Sequence, residues 1–235
     1  KKFGLLICED IWVQGPAERL PKVDYIICIN ASPYEINKDE ARIEELKKRI
    51  PLNNCTLIYL NLVGGQDDLL FDGGSFIFNK KYGLIDRLEQ FKSKNKVINL
   101  TEINNRFSSA NTKIFIPTIK ILLNGLILAL KDYLSKNSIK NIFIGLSGGI
   151  DSAVVLYIAS QAFKKENITA IMMPSSYTSK ASLEDAKILT NNLSITYKIS
   201  RIESLMKSFD KSLSEEFKNL PKDITEENIQ ARIRG

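Results

Sequence analysis

The sequence predicts an α/β protein in two pieces, and three observations predict it. Phe3-Gly4-Leu5-Leu6-Ile7, Tyr25-Ile26-Ile27-Cys28-Ile29-Asn30 and Thr56-Leu57-Ile58-Tyr59-Leu60-Asn61 are short apolar runs bounded by turn residues, the pattern of buried strands. Asn141 to Leu156 is an apolar run, a polar Gly-rich turn and a second apolar run, which reads as a buried parallel strand, a ligand-binding turn and a helix. Thr169 to Ile199 then repeats strand, loop, helix and strand, the order of a doubly wound sheet. Residues near Asn104 to Lys113 are polar and lack apolar periodicity, so a boundary is expected at 110/111, with pieces at 1–110 and 111–235.

Composition narrows the function before any motif is read. The 235 residues are 44% hydrophobic, enough for a core or two. There is no histidine, which removes Ser-His-Asp and Cys-His catalysis together with His-ligated zinc. The net charge of +6 comes from lysines spread along the chain with acids among them, which describes a solvated surface, and no nucleic-acid partner is expected. Three scattered cysteines form neither a CxxC site nor a disulfide framework, which suits a reducing compartment. The longest apolar run, Ile121 to Leu130, is interrupted by Asn124 and Gly125 and falls short of a membrane span, and no signal-peptide pattern opens the chain. The expectation is a soluble, cytoplasmic protein with no membrane partner. Lys1 leads at once into a strand, and Ala231 to Gly235 stop within the start of a helix, so the sequence reads as an internal fragment.

Taken in order, the first strand delivers Cys8 to its carboxyl end, followed by Glu9, Asp10 and Trp12 where the chain turns. A thiol there can face a cleft and be activated by a neighbouring base or cation, whereas Cys28 and Cys55 read as core filling. The second strand runs into Ala31-Ser32-Pro33-Tyr34, and Asp39 to Arg49 has the spacing of an amphipathic helix with Ile43 and Leu46 inward. After the third strand, glycine pairs and acids between Gly64 and Gly74 force tight turns between short strands, and Phe76 to Leu84 is a hairpin around Asn79 to Gly83. Pro117 opens a helix in which Ile119, Leu122, Leu123, Leu126, Ile127, Leu130 and Leu134 form a core stripe. Ser182 to Leu193 is a helix, and Leu205 to Leu220 is a helix passing into a charged stretch. Thr225 reads as the N-cap of a last helix that sets Asn228 and Arg232 four apart on one face.

The turn Gly145-Leu146-Ser147-Gly148-Gly149-Ile150-Asp151-Ser152 carries the chemistry of the second piece. Its glycines let the backbone approach an anion, Ser147 and Ser152 add hydroxyl donors, and the N–H groups of the helix start point at the same place. Asp151 would repel a polyphosphate unless a divalent cation lay between them, which makes it a candidate Mg²⁺ ligand. No Gly-Lys-Ser/Thr follows the glycines, so this is not the common phosphate loop.

The turn resembles the SGGxDS pyrophosphate loop of the N-type ATP pyrophosphatases, which split ATP into AMP and pyrophosphate to adenylate a substrate. ICEDIW, NASPYEINK and NLVGGQDDLLFDGGSFIF resemble the second half of the nitrilase-type glutaminase domain of glutamine-dependent NAD⁺ synthetases, and MPSSYTSKASLEDAKILTNNL resembles their synthetase domain. The resemblance implies the C-terminal half of a nitrilase-like αββα sandwich, followed by the first part of a doubly wound parallel-sheet domain of the adenine-nucleotide α-hydrolase-like type. It implies that Cys8 attacks the glutamine amide, that Ser32 and Lys38 hold glutamine, and that Gly145 to Ser152 bind ATP with Mg²⁺ on Asp151. It further implies that Asn228 and Arg232 contact deamido-NAD⁺ and that the enzyme is a homo-oligomer. The glutaminase Glu and Lys of that family would lie before residue 1.

Two other readings stay open at this point. Another N-type ATP pyrophosphatase, such as a GMP synthetase or a tRNA-modifying adenylase, shares the loop, although the GMP synthetase glutaminase needs a Cys-His pair that a histidine-free chain lacks. A nucleotide-binding module without turnover is the other.

Overall fold

Parallel pairing between strands distant in sequence organises both ends of the chain. The computed structural model describes residues 1–50, 55–103, 118–215, 217 and 224–235. They fall into two compact units, Lys1–Tyr133 and Leu134–Gly235. The boundary expected at 110/111 and the expected helix start at Pro117 lie outside the described residues.

In the first unit the chain runs through β1 (Phe3–Ile7), β2 (Tyr25–Asn30), α1 (Lys38–Arg49), β3 (Thr56–Asn61), β4 (Val63–Gln66), β5 (Leu69–Asp72), β6 (Phe76–Asn79) and β7 (Gly83–Arg87). A single turn, α2 (Leu100–Ile103), precedes the long α3 (Thr118–Lys136). The sheet order is β1-β2-β3-β6-β7, with β1, β2 and β3 parallel and β6 and β7 antiparallel, while β4 and β5 form a separate hairpin. Register sets Leu6 beside Cys28, Cys28 beside Tyr59 and Tyr59 beside Phe76, and this row is buried under Ile11, Leu46 and Ile50. Tyr59 and Phe76 stack with ring centroids 4.7 Å apart. The three runs were expected to be buried strands, but burial follows their two-residue alternation. Ile7, Ile29 and Leu60 form the next row and are exposed, whereas farther back on the same face Tyr25 and Ile77 are buried with Ile85 and Ile103 and packed against Ile98 and Leu100, so the second face is covered only in part.

The stripe on α3 is only partly core. Leu134 is buried, but Ile119 and Leu126 are exposed. The helix meets the β4–β5 hairpin through Gly125, where a Cβ would lie 3.0 Å from both Leu70 and Phe91. Asp132 accepts the Gly65 N–H at 2.8 Å. The Leu70 and Phe91 side chains thus pack directly against the helix backbone, and Gly125, which breaks the apolar run, is what permits it.

The second unit runs β8 (Ile142–Gly145), α4 (Ile150–Ala162), β9 (Ile168–Met172), α5 (Lys180–Leu193), β10 (Thr196–Ile199), α6 (Glu203–Ser212) and α7 (Ile224–Arg234). Its three strands are parallel in the order β10-β9-β8. The mixed α/β architecture with parallel sheets is the one expected. β9 is central and buries Ile168, Ala170 and Met172, whereas β8, expected to be buried, is an edge strand with Phe143 68% exposed. The Ser179 hydroxyl caps α5 by accepting the Ser182 N–H at 3.0 Å. Ile224 is already helical, so Thr225 lies inside the last helix and is not its cap.

Candidate active sites

Cys8 leaves β1 with φ 43°, in the left-handed region that a residue with a Cβ rarely occupies. The turn is closed by Asp10, whose carboxylate accepts the Ile7 N–H at 2.9 Å, and by the Glu9 carbonyl, which accepts the Trp12 and Val13 N–H groups. Strain of this kind collects where a side chain must be aimed. Cys8 is half-buried, while Cys28 and Cys55 are buried and burial pushes each of their thiols up to about 11. At neutral pH those two are protonated and inert.

Asn30 and Asn61 pair across the carboxyl ends of β2 and β3, and Ser32 follows just beyond. Asn61 accepts the Ser32 N–H at 2.9 Å and donates to the Ser32 carbonyl at 3.2 Å. Arg42, from α1, donates to the Ser32 carbonyl at 3.1 Å and to its hydroxyl at 3.3 Å. Its guanidinium also grips both carboxylate oxygens of Asp72. Burial works against the charge on Arg42 and Asp72 more than offsets it, so the guanidinium is held above its usual range. The Tyr59 hydroxyl lies within electrostatic reach of Arg42, Cys28 and Cys8. Ser32 approaches it without reaching hydrogen-bond geometry, and burial pushes the phenol up to about 12. Lys38 opens α1, pairs with Glu35 at 2.8 Å, and sets its ammonium 5.7 Å from the centre of the Trp12 ring on the Cys8 turn. Cys8, Ser32 and Lys38 therefore gather at one end of the parallel strands.

In the second unit the turn after β8 is knitted by its own polar groups. Leu146 is buried and its N–H donates to the Ile171 carbonyl at 2.8 Å. Ser147 and Ser152 hydroxyls meet at 3.0 Å, the Gly149 N–H donates to Ser147 Oγ at 3.2 Å, and Ser152 Oγ donates to the Gly149 carbonyl at 3.0 Å. Gly148 has φ 82°, and a Cβ there would lie 2.4 Å from the Ser182 carbonyl oxygen, so only glycine fits. Gly149 caps α4, and in its first turn Ile150 and Asp151 are exposed while Ser152 is half-buried. The result is a set of backbone donors at a helix start, suited to an anion.

Beside it lies a cavity of about 450 Å³, lined by Gly145, Leu146 and Ser147 and by Tyr177, Thr178 and Ser182, among others. That size suits a small-molecule ligand. Gln230 and Arg234 of α7 form another wall. Gln230 accepts the Ser175 hydroxyl, and Arg234 Nε donates to the Met173 carbonyl at 3.0 Å. Asn228 and Arg232 sit on the exposed face of the same helix and do not line this cavity. Sequence reasoning passed over Gln230 and Arg234. Their four-residue spacing was the available signal, but only the docking of α7 decides which of its faces turns inward. No cluster of three or more potential metal ligands occurs among the described residues, so Asp151 stands as a single carboxylate at the head of α4. One carboxylate beside a set of backbone donors would suit Mg²⁺, an ion usually bound through one or two carboxylates with substrate oxygens and water in the rest of its shell. Among the described residues no helix is long and apolar enough to cross a membrane.

Residues 122–235 match the family model of NAD synthase. The whole chain is 39% identical to 44% of the glutamine-dependent NAD(+) synthetase of Acinetobacter baylyi, and 35% identical to 47% of that of Thermotoga maritima. A solved glutamine-dependent NAD⁺ synthetase from Acinetobacter baumannii, in complex with ADP, superposes with a TM-score of 0.86 at 36% identity, over 99% of this chain and 44% of that one. The Cytophaga hutchinsonii synthetase shares the fold, with a TM-score of 0.76 at 18% identity, over the same shares of each chain. The chain spans a little under half the length of these relatives.

Proposed function

We propose, from the match of residues 122–235 to the NAD synthase family model, that this chain is part of a glutamine-hydrolysing NAD⁺ synthetase. In this reading residues 1–110 are the C-terminal part of a nitrilase-type glutaminase domain and residues 111–235 the N-terminal part of an adenine-nucleotide α-hydrolase-like synthetase domain. Cys8 attacks the side-chain amide of glutamine and releases ammonia, while Ser32 and Lys38 hold the substrate. The loop Gly145 to Ser152 cradles ATP, and its helix start and hydroxyls orient the phosphates. The nicotinate carboxylate of deamido-NAD⁺, held by Asn228 and Arg232, is adenylated because a free carboxylate is a poor electrophile, and ammonia then displaces AMP. Asp151 would hold Mg²⁺ at the loop, and the ion would supply positive charge against the departing pyrophosphate. The intact enzyme is a cytoplasmic homo-oligomer.

One observation carries this reading. A single chain aligns over its whole length with these synthetases, and it carries both a cysteine at a strand end and a Ser-Gly-Gly-x-Asp-Ser turn at a helix start. The test is product analysis with the full-length protein, deamido-NAD⁺, ATP and Mg²⁺. NAD⁺, AMP and pyrophosphate are expected in equal amounts with either glutamine or ammonia as nitrogen source. Release of ADP and phosphate, or turnover only with a different acceptor, overturns it.

A further inference from the structure

A buried ion pair is a weak source of stability, because stripping water from both charges costs about as much as their attraction returns. Arg42 and Asp72 are nevertheless both buried, each side chain 1% exposed, and Arg42 Nε is left without a hydrogen-bond partner. What such a pair supplies is direction. Asp72 grips Arg42 at 2.8 and 2.9 Å and is itself held by Asn61 Nδ2 at 3.1 Å and Gln90 Nε2 at 2.8 Å. Fixed in this way, Arg42 Nη2 reaches both oxygens of Ser32, while Asn61 takes its N–H. The backbone and the hydroxyl of Ser32 are all met from the protein side.

The chemistry of the donor decides what remains. A guanidinium only donates, so Ser32 Oγ accepts from Arg42 and its own hydrogen is left to donate elsewhere. A hydroxyl fixed in that sense suits a carboxylate oxygen. We propose that Arg42 is a positioning residue for glutamine: locked on Asp72, it sets Ser32 as a hydrogen-bond donor to the substrate's α-carboxylate. This rests on the reading that Ser32 contacts glutamine. Lysine cannot substitute, because one ammonium cannot grip both Asp72 oxygens and also span both Ser32 oxygens.

The test is steady-state kinetics of the full-length protein carrying Arg42→Lys, Ser32→Ala or both. Arg42→Lys should raise the glutamine KM by about tenfold, the scale of one charge-assisted hydrogen bond. Its kcat and its ammonia-dependent synthesis should stay unchanged. In the Ser32→Ala background the same substitution should leave KM almost unmoved, since the two residues act as one unit. Asp72→Asn keeps the shape but loosens the grip, and should give the same pattern at a smaller factor; it carries the test if Arg42→Lys does not fold. If Ser32→Ala alone leaves KM unchanged, the reading of Ser32 is wrong and the proposal goes with it. If Ser32→Ala raises KM while a folded Arg42→Lys or Asp72→Asn does not, the Arg42 role alone is overturned. An equal rise with and without Ser32 overturns it as well.

Discussion

Cys8 and Ser147 each follow a parallel strand at its carboxyl end, β1 and β8, yet the two sites are made of different material. Around Cys8 the parts are side chains reaching in from separate elements: Ser32 beyond β2, Asn61 at the end of β3, and Arg42 and Lys38 on α1. Around Ser147 they are backbone groups and small hydroxyls within eight consecutive residues. The difference fits the chemistry proposed for each. A nucleophile and its substrate need several side chains at fixed angles, and only a folded sheet can bring these together. A phosphate needs many donors at short range, and a tight turn at a helix start supplies them locally.

If the two sites are separate devices, they should break separately. The largest effect is expected from Cys8→Ala in the full-length protein: glutamine-dependent NAD⁺ synthesis vanishes while ammonia-dependent synthesis continues. Loss of glutamine activity on Cys55→Ala, with Cys8→Ala active, would move the nucleophile's role to Cys55 and overturn the assignment to Cys8. The mirror experiment is Asp151→Asn, which keeps the size and removes the charge. Pyrophosphate release from ATP and deamido-NAD⁺ should fall by roughly two to three orders of magnitude, the scale of one lost electrostatic contact in the transition state. Glutamine hydrolysis at Cys8 should survive. Wild-type rates across a Mg²⁺ titration would return Asp151 to turn geometry.

The smallest effect concerns the buried thiols. Cys28 and Cys55 ionise at about 11 in the folded chain, against 9.0 for an ordinary thiol. Below pH 9 both states hold these protons and stability does not change. Above it the unfolded chain ionises first, so stability should drain between pH 9 and 11 at up to about 1.4 kcal/mol per thiol per pH unit. Urea midpoints of the Cys8→Ala protein over that range measure the slope. A flat profile would mean that Cys28 and Cys55 are less enclosed than their burial indicates.

The same contrast explains what could be read before the structure. The Gly145 to Ser152 turn was legible because its parts are neighbours in sequence and its glycines have few other uses. Strand and helix positions were legible from apolar spacing: β3 spans the run expected, and α1 starts one residue early. Arg42 and Asp72 were not legible. They lie thirty residues apart on a helix and a hairpin, and each alone resembles any surface charge. The exposure of β8 and of one face of β1 was missed for a related reason: an apolar run reveals a strand but not how many layers cover it. The inward face of α7 was beyond reach too, since both Asn228/Arg232 and Gln230/Arg234 keep helical spacing.

The left-handed backbone at Cys8 carries one more consequence. A residue with a Cβ in that region costs of order 1–3 kcal/mol, whereas glycine rests there freely. Selection for a sturdier fold alone would place glycine at position 8. If Cys8 acts as proposed, the chain gives up robustness where its sulfur is presented, and a change to glycine there would yield a steadier, silent protein.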